Sequence, residues 1–446
     1  MPPTTTGTAA PAAAVDLTAA PIAVRTAADL DRGVPVAELP AEPTGRRYVR
    51  FVLVLGLLIA LGPLTIDLYL PALPAVSGQL AAGESAVQAT LTGVLLGLAF
   101  GQLLIGPLSD AFGRRLPVLI GLAAHAVASL LCALAPTIET LIAARTLQGF
   151  AGAAISVAVM ATVRDLFSGR RAAGVLSHLM LVLGVAPILA PTLGGWMLTV
   201  TDWRGLFWVL GAGALALLPL AYFGLRETLP RHRRRPARPS ATLRTYRTIL
   251  ADRTFIGLVL IAGLTMATMF SYVSGSSFVL QGVYGLDEQT YGLVFGMNAI
   301  GLIAATQLNP VLLRRFTPQR ILLGALVAAA VSVTALVFAA ATQAPLALLV
   351  VPLFATASSC GLAFPNAPAL ALSRHGEAAG SAAALLGAAQ FGVGALVAPL
   401  VGAFGSGSAL PMALVMASAT GLALALLLAV TRSVDLPARP ALPVTG

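Results

Sequence analysis

Residues 101–115 read GQLLIGPLSDAFGRR. An apolar stretch leads into this segment over 87–108 and another leads out of it over 116–136. A helix needs ~20 residues to cross the hydrocarbon core of a bilayer. Both flanks are therefore predicted to span a membrane, and the segment between them to turn the chain back at the surface. Within the segment, Gly106 and Pro107 favour close packing and the end of a helix, and Gly113 permits a tight turn. Asp110 is placed to accept from Arg114 or from a neighbouring helix N-terminus, with Arg115 alongside.

The same alternation of apolar stretch and short turn extends in both directions. Spans are expected at 50–72, 87–108, 116–136, 140–162, 173–199, 204–225, 254–281, 290–313, 319–341, 345–371, 379–404 and 409–431. The chain has no lysine, so all 27 of its basic residues are arginines, and 25 of them fall in the segments placed on one side. The opposite side holds only Arg204, and Arg145 lies inside a span. Arginine and lysine accumulate on the cytoplasmic side of membrane proteins, which places both ends of the chain in the cytoplasm. The expected fold is an all-α membrane protein with twelve transmembrane helices.

Composition agrees and narrows the function. The chain is 58% hydrophobic and 10% charged, against roughly 25% charged residues in a soluble domain. Without lysine there is neither a Walker-type phosphate loop nor a Schiff base. A net charge of +10 suits nucleic acid less well than topogenic loops, because no aromatic residues interleave the arginines. Cys132 and Cys360 both fall in apolar spans and read as small buried hydrophobes. No metal site, enzyme centre or bound cofactor is expected.

The longest connection divides the chain. Residues 1–45, rich in Ala, Pro and Thr, are expected to be a disordered cytoplasmic tail with no signal peptide. Residues 46–225 form one six-helix half, 226–253 an Arg-rich cytoplasmic linker, 254–431 a second half, and 432–446 a cytoplasmic tail. The linker includes Arg231, Arg233, Arg234, Arg235 and Arg238 and reads as a solvated loop near anionic headgroups. Two similar halves suggest duplication, with a site at the midplane between them.

Two charges stand inside this apolar frame. Asp67, in TIDLYLPALP (65–74), is the one acid within a span and away from its ends. It lies ~24 Å from the cytoplasmic end at 1.5 Å per residue. Arg145, in RTLQG (145–149), is the one arginine within a span. A charge there costs ~2.5–3.5 kcal/mol on insertion scales and usually marks function. Lying at similar depth, the two are expected to face each other or share a water-filled cavity. They form either a static ion pair or a carboxylate whose proton Arg145 helps to control.

Span five carries Gly184, Pro187, Pro191, Gly194 and Gly195, which allow close approach and kinks. In this position and order, 101–115 resembles the signature loop of the major facilitator superfamily, and span five its antiporter motif, with Ala190 where a glycine is usual. The matching loop between spans eight and nine keeps Arg314, Arg315 and Arg320 but no acid. Add VRDLF (163–167), Trp203 with Phe207 and Trp208, ETLP (227–230) and GSAA (380–383). The chain then resembles the Bcr/CflA family of drug:proton antiporters over about 50–430.

The resemblance implies export of drugs such as bicyclomycin, chloramphenicol-type compounds or sulfonamides across the bacterial inner membrane, driven by the proton gradient. It implies that Asp67 and Arg145 hold proton-coupling and substrate-site positions, and that the loop clips the two halves together on the cytoplasmic side, favouring an outward-open state. The fold usually works as a monomer. Tyr69 and Gln148 lie beside those two residues and join the candidate pocket. Met266, Met269, Phe270, Tyr272, Asn298, Phe364, Asn366 and Gln390 are weaker candidates, since methionines and aromatics at helical spacing more often pack than bind. His125 and His178 read as packing residues. Competing readings are a facilitator-fold exporter of an endogenous metabolite, an uptake symporter, or an intramembrane enzyme or sensor, for which no catalytic set appears within the spans.

The arginine asymmetry gives a direct test of topology. Cysteines introduced in 226–253 should resist an impermeant reagent in intact cells, and cysteines in 282–289 should react. Labelling of 226–253 from outside would invert the topology.

Overall fold

The computed structural model describes residues 43, 45–234, 239–405 and 407–433; the proposed tails at 1–45 and 432–446 lie almost wholly outside them. Twelve helices are long and apolar enough to cross a membrane. They are α1 (Gly45–Asp67), α2 (Glu84–Phe112), α3 (Arg115–Ala133), α4 (Ile138–Leu166), α5 (Gly169–Met197), α6 (Trp203–Gly224), α7 (Arg253–Ser277), α8 (Glu288–Leu312), α9 (Pro318–Ala341), α10 (Leu346–Leu372), α11 (Ala379–Ala403) and α12 (Leu410–Ser433). Large apolar side chains such as Leu53, Phe100, Trp208, Phe223, Leu293, Phe338 and Leu396 stay exposed on their outer faces. In water such a surface would aggregate; in hydrocarbon it is the matching one.

Short polar residues begin the helices. Thr137 and Thr140 form a capping box at α4. The side chains of Asp202, Asp252, Asp287 and Thr317 accept the first free N–H groups of α6, α7, α8 and α9. Three of the chain's 17 acids thus serve as helix caps at the membrane surfaces.

Four local features depart from the expectations. The first span breaks: α1 ends at Asp67, a 3-10 turn covers Leu70–Ala72, and a short helix runs Leu73–Gln79. Pro71 and Pro74 supply no N–H for a continuous ladder. At its far end, α7 widens into a π turn over Phe278–Val283. The segment Gly106-Pro107 does not end a helix, because α2 continues to Phe112 and nothing lies within 4 Å of a Cβ built on Gly106. The linker is not all loop, for Pro239–Ile249 is a helix. Leu243, Tyr246 and Ile249 fall on one stripe of it, with Ile249 buried and the Tyr246 hydroxyl donating to the Leu103 carbonyl at 3.0 Å.

Packing follows the two halves. Within the first, α4 lies against α2 and α3, and α1 against α5; within the second, α7 packs on α11, α12 and α10, and α8 and α9 on α10. The halves meet where α2 touches α11 and α5 touches α8. Membrane helices lack a hydrophobic drive to associate and rely on small residues that let backbones approach. Gly149 shows this: a Cβ there would overlap the Val94 carbonyl of α2.

Gly149→Ala should therefore lower thermal stability by ~1–3 kcal/mol, the usual cost of overpacking, despite alanine's better helix propensity. Gly106→Ala, which meets open space, should leave stability unchanged or raise it. Equal melting temperatures for the two variants in detergent would contradict the close α2–α4 contact.

Candidate functional site

Arg145 is fully buried in the first half, and its contacts define the site. Its Nη1 donates to the Thr65 carbonyl at 2.9 Å and to Gln148 Oε1 at 2.6 Å. The guanidinium lies over two rings, 4.9 Å from the Tyr69 centroid and 5.4 Å from that of Phe207. Its Nε and Nη2 have no hydrogen-bond partner. Gln148 Nε2 donates to Ser129 Oγ at 2.8 Å, and Thr65 Oγ1 lies 2.8 Å from His125 Nε2. A polar cluster from α1, α3 and α4 thus surrounds one cation in an otherwise apolar core.

Asp67 is also buried, with 7% exposure, and its carboxylate has no hydrogen bond or ion pair among the described residues. The expected facing of Asp67 and Arg145 does not occur in this structure. Thr65 and Asp67 are two residues apart, which sets their side chains ~200° apart around a helix. Arg145 occupies the Thr65 side of α1, with Tyr69, four residues on, completing that face. The Leu70–Ala72 turn that follows Asp67 packs against α7 and α8, whose Tyr272 and Tyr291 share a core cluster with Leu68 and Tyr69. These belong to a rigid wall of the second half. Asn298 Nδ2 donates to the Tyr272 hydroxyl at 2.8 Å, Tyr272 stacks on Phe295 at 5.2 Å, and the Tyr291 hydroxyl pairs with Ser276 Oγ at 3.1 Å. Asn298 Oδ1 is buried without a partner.

Of the weaker pocket candidates, Phe270 and Tyr272 join the same apolar cluster as Tyr69, with Met266 and Met269 packed on it. Asn366 lies elsewhere, donating to Asn309 Oδ1 at 2.6 Å, so it braces α10 against α8. Phe364 and Gln390 are partly buried, and among the described residues they make no polar contact or ring stacking.

The segment after Asp67 is held where the arginine-poor ends of the halves meet. Gln281 Nε2 donates to the Pro71 carbonyl at 3.1 Å. The glycines of span five supply the close approaches: a Cβ on Gly194 would overlap the Leu68 carbonyl, and one on Gly195 the Glu288 carbonyl. Gly184, further along, faces Ile303. Pro187 and Pro191 lie within the continuous α5, and Thr192 Oγ1 donates to the Gly292 carbonyl at 3.3 Å. On the α2–α11 side, Gly402 N donates to Gln88 Oε1 at 2.7 Å and Thr92 Oγ1 to the Ala395 carbonyl at 3.1 Å. All these bonds lie toward the arginine-poor end.

The arginine-rich end is organised differently. Arg114 Nη1 donates to Asp110 at 2.6 Å, as expected, but its Nε also donates to Asp165 at 2.8 Å. Burial opposes the charge on Arg114, and these two carboxylates outweigh it, holding the guanidinium's proton more firmly than in water. Glu227 accepts from the Arg114 backbone N–H at 2.8 Å and pairs with Arg234 at 3.5 Å. Gly113 has φ +96°, and a Cβ there would collide with the Glu227 carboxylate, so glycine is required on both counts. Arg115 donates to the Tyr222 carbonyl at 2.6 Å with its guanidinium over the Tyr222 ring. Among the described residues, every polar partner of this loop belongs to the first half or the linker. The expected clip across to the second half is not formed in this state.

Residue types alone left Thr65, Ser129, Asp165, Glu227 and Tyr291 unassigned as site residues. The signal available was spacing: His125 and Ser129 stand i,i+4 on one helix face, and VRDLF and ETLP were visible as motifs without contacts. Among the described residues no cluster of three His, Cys, Asp or Glu side chains could hold a metal ion.

Comparison with known proteins agrees with this architecture. The profile of the Major Facilitator Superfamily matches residues 53–399. The uncharacterized MFS-type transporter YdgK of Bacillus subtilis is 39% identical over 381 residues, covering 84% of this chain and 94% of that one. The bicyclomycin resistance protein homolog of Haemophilus influenzae is 31% identical over 366 residues, 82% and 92% of the two chains. Among solved structures, a D-xylose-proton symporter superposes with a TM-score of 0.68 at 16% identity, covering 86% of this chain and 97% of that one; at that identity the likeness speaks for the fold alone. The chain is a multi-pass membrane protein that belongs to the Major Facilitator Superfamily, in the Bcr/CflA branch that its motifs resemble.

Proposed function

We propose that this protein exports drugs or other small amphipathic molecules in exchange for protons, by alternating access. One observation carries the reading. A buried carboxylate, Asp67, stands without a partner at the seam between the halves, while Arg145, just behind it in the first half, keeps two N–H groups unused. Unpaired buried charge is costly, so a fold that keeps both invites a ligand for each. A proton satisfies Asp67. The carboxylate itself, or an acceptor group on the drug, satisfies Arg145 when the seam rearranges.

The geometry suits such a cycle. Among the described residues the hydrogen bonds between the halves lie near the arginine-poor end, and of the 101–115 segment only Gln102 meets the second half, beside Gly387. With the arginine-rich end and both termini in the cytoplasm, this is an inward-facing arrangement, in which Asp67 exchanges its proton with the cytoplasm as drug enters. Reversal of the seam would give Asp67 to the other side, where it takes up a proton and releases drug. Asp110 and Arg114 then clip the cytoplasmic ends. The name of the Haemophilus relative supports a drug as cargo. The aromatic and methionine wall of α7 and α8 offers a deformable apolar surface for it. The proton gradient of a bacterial inner membrane supplies the energy without catalysis or a cofactor, and one polypeptide contains the whole path.

Two variants test the coupling. Asp67→Asn keeps the size of the carboxyl but stays neutral, so it should lose uphill export under an imposed pH gradient in proteoliposomes. Arg145→Lys loses the planar five-donor fork and should fall by roughly 10- to 100-fold. Near wild-type accumulation of chloramphenicol by Asp67→Asn would make Asp67 a structural residue only.

The loop is tested separately. Asp110→Asn should leave the protein folded and shift its inward/outward balance in spin-label distance distributions across 101–115 and 314–320. Unchanged distributions would remove the loop from the switch.

A further inference from the structure

His125 lies on α3, is 1% exposed, and has no part in the exchange described above. Its hydrogen bonds can be given directions. Thr65 Oγ1 donates to the Leu61 carbonyl at 2.5 Å, so toward His125 Nε2, at 2.8 Å, that oxygen acts as acceptor. The imidazole therefore carries its proton on Nε2. Ser129 Oγ donates to the His125 carbonyl at 2.8 Å and stands 3.4 Å from Nδ1. The same oxygen accepts Gln148 Nε2–H at 2.8 Å, which turns Gln148 Oε1 toward Arg145 Nη1 at 2.6 Å. Thr65 closes the ring, since its backbone carbonyl takes the second bond of Nη1 at 2.9 Å. With the Thr65 hydroxyl proton directed to Leu61, the circuit closes with the imidazole proton on Nε2; the opposite tautomer would require that hydroxyl to turn away from the Leu61 carbonyl.

We propose that His125 is a positioning residue for Arg145. Through Thr65 on one side and Ser129–Gln148 on the other, its neutral Nε2–H tautomer fixes both bonds of Nη1. That fixes the plane of the guanidinium between the Tyr69 and Phe207 rings and keeps Nε–H and Nη2–H uncommitted. The inference rests on the export reading for what those two donors do, but not for the circuit itself. A guanidinium free to turn would satisfy its spare donors on neighbouring carbonyls, and the uncommitted pair would be lost. A histidine serves here because one flat ring reaches both α1 and its own helix's Ser129 while holding a single proton in place.

The first arm of the test needs no drug. Protein labelled with 15N-histidine carries four such rings, and the His125 signals are those absent from His125→Gln. At pH 7 they should report one neutral tautomer with the proton on Nε2, and Gln148→Leu should shift them because Ser129 loses its donor. An Nδ1–H tautomer, an imidazolium, or signals indifferent to Gln148→Leu would overturn the proposal. The second arm is chloramphenicol export from proteoliposomes. His125→Leu should lower it by roughly 10- to 100-fold, as misplacement of a site residue does. His125→Gln, whose amide reaches Thr65 with the same number of bonds, should restore most of the rate with the wild-type pH profile. Wild-type export by His125→Leu, or loss of proton coupling in His125→Gln, would contradict it. If His125→Leu does not fold, Ser129→Ala breaks the same link and carries the same expectation. If the wild type moves no chloramphenicol, that cargo is wrong while the first arm still decides the role of His125.

Discussion

The structure depends on keeping one guanidinium charged inside hydrocarbon. Among the described residues, Arg145 has no counter-ion within bonding distance. It is held by a backbone carbonyl, an amide oxygen and two aromatic faces, each weaker than a carboxylate but none able to neutralise it. Helices α1, α3 and α4 must meet around it at fixed depth to supply those groups. The small residues that let them meet, Gly149 above all, are part of the same arrangement. Breaking one partner of such a buried charge costs far more than the contact appears to contribute, which makes the first half a rigid frame.

Asp67 belongs to a different environment although it is only two residues from Thr65. It directly precedes the turn at the seam, where the second half offers Tyr272, Asn298 and Tyr291. The two charges thus sit on opposite faces of α1, and any rotation of that helix exchanges their surroundings. The break in the helix directly after Asp67, with its 3-10 turn and two prolines, is the natural place for such a movement. Gln281 bonds this segment to the second half, while Gly194 of α5 packs against its Leu68 carbonyl and Gly195 against Glu288 across the seam, so motion of α1 and opening of the seam are mechanically joined.

Much of this was legible in the residues. Twelve spans and the singular positions of Asp67 and Arg145 follow from hydropathy and charge, because hydrocarbon tolerates so few alternatives. What stayed illegible was direction. Similar depth suggested that Asp67 and Arg145 face each other, whereas helical phase sets them apart. Gly106-Pro107 looked like a helix end, but nothing crowds Gly106 and α2 runs on. The stripe Leu243–Tyr246–Ile249 was hidden by the arginines around it. His125 and Asp165 make sense only through partners on α1 and α3, far away in sequence.

The central claim is that drug and proton compete through Asp67. It is tested most directly by the proton itself. Purified protein in lightly buffered detergent solution, mixed with chloramphenicol in the presence of a pH indicator, should release protons in proportion to drug bound, and the Asp67→Asn protein should release none. Saturable drug binding with no proton release by the wild type, or equal release by both proteins, would contradict the account.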